Sequence, residues 1–79
     1  MENEYRTRDL YEAAYLVAKG LKVKKVEKVS LSSRCFFVFD NPEKCRQIVV
    51  EFWNKEGSVE PKTYAEAVRN LKDRIYAGV

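Results

Sequence analysis

Lysines at positions 22, 24, 25 and 28, followed by Arg34 and Phe36, are the residues of this chain whose types and spacing best suit recognition chemistry. Cationic side chains neutralise phosphates whatever the base sequence, and an aromatic ring stacks on any unpaired base. Lys22, Lys24, Lys25, Lys28 and Arg34 with Phe36 therefore predict a nucleic-acid-contacting surface. The same lysines also have a plainer reading as the solvated residues of an exposed strand, where charge discourages sheet-to-sheet pairing. The net charge of +3 over 79 residues is small, so any positive surface is local.

Catalysis has little to draw on. The chain has no histidine, and Asp9, Asp40 and Asp73 fall where helix capping or a surface position accounts for them. Glu12 and Glu51 are the carboxylates that folding could bring together, but no glycine-rich phosphate loop or nucleophile elbow is present. Cys35 and Cys45 stand without a second pair, so neither a zinc site nor a disulfide framework is expected, and both read as reduced, buried thiols. No enzyme activity, cofactor or metal is expected.

Length and composition set the frame that must position these residues. A chain of 79 residues makes one domain spanning 1–79 and buries roughly 60% of its unfolded surface, which disfavours a deep pocket. With 46% apolar and 34% charged residues it is neither disordered nor membrane-spanning. The charged start Met1-Glu2-Asn3-Glu4-Tyr5-Arg6 lacks the apolar core of a secretory signal, which predicts a cytoplasmic protein.

Periodicity then places the elements. A first helix is expected over about 8–19, capped by Asp9 with Glu12 three positions on and stopped by Gly20. Valines at 23, 26 and 29 suggest a strand over 21–29 whose three-residue spacing requires a bulge near Lys24-Lys25. Ser30 to Ser33 supply a turn, and 34–39 form a second strand antiparallel to the first. Alternation places Cys35, Phe37 and Phe39 in the core and leaves Arg34, Phe36, Val38 and Asp40 on the other face, with Tyr5 a candidate to cover Phe36. Asn41 and Pro42 open a second helix that ends near Trp53-Asn54, with Cys45, Ile48, Val49 and Phe52 as its apolar stripe. Pro61 opens a third helix running to about Tyr76, on which Arg69, Lys72, Asp73 and Arg74 read as a solvated face. Trp53 and Tyr76, near helix ends, are expected to seal the core, with an interaction patch as the alternative.

Two resemblances follow from these residues. The stretch from Arg34 through Phe36 to Pro42 resembles the third strand and second helix of the RNA-recognition motif, with Arg34 at its basic position and Phe36 at its first aromatic. Val38 stands where that motif has a second ring, and Cys35 where it has glycine. The order Tyr5-Arg6-Thr7-Arg8-Asp9-Leu10, Ala13-Ala14-Tyr15-Leu16, Lys19-Gly20, Phe37-Val38-Phe39-Asp40, Phe52-Trp53-Asn54, Val59-Glu60-Pro61 and Leu71-Lys72 looks like a family of small uncharacterised domains from bacteria, archaea and their viruses. That likeness implies a prokaryotic or phage origin and no particular activity.

The expected architecture is a single α+β domain ordered α-β-β-α-α, an antiparallel hairpin packed on helices and extended by residues near Tyr5 or Val59. The function stays unknown at this level. The leading expectation is a non-catalytic binding or regulatory module with nucleic acid as partner; the alternative is a protein-interaction module or homodimer, as in a phage or mobile-element accessory protein, using the Phe36/Val38 face.

Overall fold

A computed structural model describes residues 3–28 and 35–76, in the order β1 (Glu4–Thr7), α1 (Leu10–Ala18), β2 (Val23–Lys28), β3 (Cys35–Asp40), α2 (Pro42–Asn54) and α3 (Pro61–Tyr76). The expected turn at Ser30–Ser33, and Arg34 with it, lie outside the described residues. The order is thus β-α-β-β-α-α, which corrects the expected α-β-β-α-α by one N-terminal strand. The cause is the place of β3. Rich in β-formers and buried, it is the middle strand of a sheet ordered β1-β3-β2, so its backbone groups need partners on both edges. β2 supplies one set and Glu4–Thr7 the other, both antiparallel. Of the two candidate extensions, residues around Tyr5 therefore form the third strand, while Val59 sits in the loop before α3, half-buried against the core.

Local chemistry sets the helix ends. The Asp9 carboxylate accepts from the backbone N–H groups of Tyr11 (2.9 Å) and Glu12 (3.1 Å), fixing the start of α1. At its other end Gly20 has φ +100°, and the N–H groups of Gly20 and Leu21 donate to the carbonyls of Val17 and Leu16, a Schellman closure that glycine enters without a Cβ penalty. α2 closes in the same way, with Lys55 and Glu56 donating to Phe52 and Glu51, but the left-handed position is held by Lys55 at φ 60°. A non-glycine residue there is strained, so Lys55→Gly is expected to raise stability by about 1 kcal/mol, read as a higher urea midpoint at unchanged slope. Asn41 also has positive φ, which asparagine tolerates, while its side chain caps the Lys44 N–H.

The core lies between the sheet and the helices. Phe37 and Phe39 are buried beneath α1, whose Ala13, Ala14 and Leu16 are fully covered. Small alanines on α1, together with Ala67 on α3, let these two helices approach closely, and α1 also packs on α2. Cys45 and Ile48 of α2 and Leu71 of α3 complete the interior. Among the described residues no helix covers the opposite face of the sheet.

Candidate binding surfaces on and beside the sheet

On the open sheet face, register places Arg6 and Lys25 on either side of Val38, Glu27 beside Phe36, and Glu4 beside Asp40. The bulge expected near Lys24-Lys25 falls between Val23 and Lys25, with Lys24 the extra residue. Alternation alone would turn one of two consecutive lysines toward the core; the bulge lets both serve the open face. Lys24 reaches across β3 to Glu4 (2.7 Å) and also meets Asp40 (3.7 Å). Arg6 pairs with Glu27 (3.0 Å) and Glu4 (3.2 Å), and Lys25 with Glu27 (3.2 Å).

These contacts join three cations, Arg6, Lys24 and Lys25, to three carboxylates, Glu4, Glu27 and Asp40, and the charges cancel. A hydrogen bond from Lys24 holds the Glu4 carboxyl below the ordinary carboxylate range, and hydrogen bonds from Arg6 and then Lys25 do the same for Glu27. Glu4 in turn raises the Lys24 ammonium. Val38, with Arg6 and Lys25 as its cross-strand neighbours, is 0% exposed on this face.

The residues singled out from the sequence thus occupy different surroundings. Lys24 and Lys25 lie on the open face in ion pairs, beside a half-buried Phe36. Lys28 is exposed at the end of β2, opposite Cys35. Lys22 precedes β2 and belongs to a groove described below. Arg34 lies outside the described residues. Tyr5 does not cover Phe36: it stands opposite Phe39 and packs against the core, so the wrong face of β1 points inward for that role. An RNA-recognition motif carries its second aromatic strand before the first helix; β1 stands before α1 here, but its residues on the open face are Glu4 and Arg6, which bring no second ring.

Trp53 and Tyr76 do not seal the core; they are 60% and 84% exposed. Trp53 packs edge-on against Phe52 and donates its indole N–H to Glu12 (2.9 Å). Glu12 is buried, and Tyr5 lies against it: burial first, then the Glu12 charge and a hydrogen bond to it, push the Tyr5 phenol up to about 12. Glu51 does not join Glu12. It accepts from the Tyr15 hydroxyl (3.1 Å) and faces Lys19 (4.0 Å). The two glutamates are each absorbed in joining elements, Glu12 linking β1, α1 and α2. Both cysteines are free and buried, and the Cys45 thiol, pushed up by burial, donates to the Asp40 carbonyl (3.5 Å). Among the described residues no group of three or more cysteine, aspartate or glutamate side chains is placed to hold a metal ion, and no helix is long and apolar enough to cross a membrane.

A groove of about 340 Å³ opens where α1 ends, β2 begins and α3 passes. Its floor is aliphatic, from Val17, Leu21, Val23, Ala67 and Leu71. Lys22, Asn70 and Arg74 form its polar rim, and neither Lys22 nor Arg74 has an ion-pair partner among the described residues. Sequence reasoning grouped Lys22 with the other strand lysines and left Arg74 on a solvated helix face. The available signal was local: Ala67, Asn70, Leu71 and Arg74 alternate apolar and polar along one side of α3.

Compared with known families, residues 2–77 match the model of a domain of unknown function, DUF5659, and the chain belongs to that family. No curated protein and no solved structure matches it.

Proposed function

We propose that this member of the DUF5659 family is a non-catalytic binding module for an anionic partner, with nucleic acid the first to test, engaged along the β2 side of the domain. The supporting observation is an asymmetry of pairing. Arg6, Lys24 and Lys25 are neutralised by the chain's own carboxylates, whereas Lys22, Lys28 and Arg74 have no such partner among the described residues. An unpaired cation can exchange its counterions for a phosphate without first breaking an internal ion pair. The prokaryotic or phage origin and the cytoplasmic location expected from the sequence are kept as parts of this proposal.

Fluorescence anisotropy with labelled single- and double-stranded DNA and RNA over a salt series tests this. Three phosphate contacts give a slope of log affinity against log salt of roughly −2 for a single strand. The pair Lys22→Glu and Arg74→Glu should lower affinity roughly tenfold or more and flatten that slope, while Lys24→Met and Lys25→Met change it less than twofold. No binding at low salt, or an equal loss from the paired lysines, overturns the reading. Sedimentation of the free protein covers the alternative: salt-insensitive self-association abolished by Phe36→Glu would favour the interaction module instead.

A further inference from the structure

The groove beside β2 carries more than charge. Its floor is made only of aliphatic side chains, and two of them, Ala67 and Leu71, are themselves core residues with 3% and 2% exposure, so the floor is fixed by packing. No ring lines it, and an unpaired base would find no stacking partner there. At about 340 Å³ it falls at the lower end of the size range of small-molecule sites. The polar residues lining it are Lys22, just before β2, and Asn70 and Arg74, one turn apart on α3. The carboxylates next to this region, Glu66 and Asp73, are exposed and do not line it.

We propose that this groove binds a small anionic amphiphile: an aliphatic chain lies along the Val17, Leu21, Val23 and Leu71 floor, and its carboxylate or phosphate head meets Lys22, Arg74 and Asn70. The inference rests on the anion-binding reading and names the ligand class for one part of that surface. An apolar floor alone would accept a neutral chain equally well. Two cations without ion-pair partners among the described residues make the anionic head the discriminating feature, and arginine can grip either head group through two parallel N–H donors.

Amide-shift titrations of the full chain by NMR separate the contributions, using inorganic phosphate, acetate, butanoate, hexanoate, octanoate, octyl phosphate and the neutral octyl glucoside, each below its micelle concentration. The expected result is saturable shifts at Leu21, Val23, Asn70 and Leu71. Affinity should rise roughly two- to fourfold per methylene from butanoate to octanoate, as burial of CH₂ groups requires. Lys22→Glu with Arg74→Glu should weaken octanoate and octyl phosphate at least tenfold and leave octyl glucoside unchanged. The ratio of octanoate to octyl phosphate affinity identifies the head group, and either preference supports the site.

Binding of phosphate, acetate or oligonucleotide at Lys22 and Arg74 with no gain from the alkyl chain overturns the amphiphile inference while the anion-binding reading stands. Octyl glucoside binding as tightly as octanoate, with no effect of the charge reversals, overturns both. No shift with any probe overturns the site. The chain-length series needs no substitution, so its outcome does not depend on how well the variants fold.

Discussion

Replacing Phe39 by alanine lowers the stability of this domain by about 3–5 kcal/mol, roughly a third or more of the total in a fold whose stability is on the order of 5–10 kcal/mol. Phe39 lies in the central strand with Tyr5 across one edge and Val23 across the other, and it is 0% exposed. It points into the layer between sheet and helices, packed among other buried core side chains. Phe36, three positions earlier, makes the control. It lies half-buried on the open face beside Glu27, so Phe36→Ala removes a ring that already meets solvent and costs roughly 1 kcal/mol. Urea unfolding of the two variants at equal slope measures the difference directly. A larger loss from Phe36→Ala than from Phe39→Ala would mean that the helices cover the other side of β3.

Those two phenylalanines also show what the sequence made readable. Asp9, Gly20, Asn41, Pro42 and Pro61 act within a few residues of themselves, through caps, a left-handed closure and fixed φ, so their consequences could be read locally. The bulge was readable for the same reason: Val23 and Val26 can face one way only if an extra residue stands between them. β1 was readable only as one of two candidate extensions, near Tyr5 or Val59. Glu4–Thr7 holds two charged residues and only Tyr5 and Thr7 facing inward, too short an alternation to choose between them; it is extended because β3 has a free edge to offer. Tertiary pairing, not local propensity, made that element.

Charge was the least readable property. Six cationic or aromatic residues looked like one surface, but a lysine's availability depends on which carboxylate stands opposite, and Glu4 and Asp40 reach Lys24 only after three strands are assembled. Counting lysines along β2 therefore overstates the free positive charge on the open face and misses Arg74, which the packing of α3 beside Lys22 adds to the groove. The covering of Val38 belongs to the same effect. The ion pairs lie on either side of the buried Val38, so that part of the face is taken up by the chain's own residues, while Phe36 beside it still meets solvent.

The second large effect is expected at Glu12. Its carboxylate is buried, accepts the Trp53 indole N–H at 2.9 Å, and faces the Tyr5 phenol, so one side chain joins α1 to α2 and to β1. Glu12→Ala removes the acceptor and leaves a donor from each neighbour to find water or stay unpaired, a loss of about 2–4 kcal/mol. Glu12→Gln keeps an acceptor oxygen in nearly the same volume and should cost about half as much or less. The phenol supplies a readout that a simple packing defect would not move. Tyr5 is pushed up to about 12, above the ordinary tyrosine value near 10, by burial first and Glu12 next. A raised phenol favours the protonated form in the folded state, so its contribution to stability is fully present below about pH 10 and is lost as pH climbs from about 10 through about 12. Ring-carbon NMR of selectively labelled tyrosine follows that titration at Tyr5 alone. In Glu12→Gln, where the negative charge is gone and the fold retained, the Tyr5 midpoint should move down toward 10 while staying above it, because burial remains. A midpoint that does not move would mean that Glu12 shapes the packing of β1 against the helices without acting on the phenol through its charge.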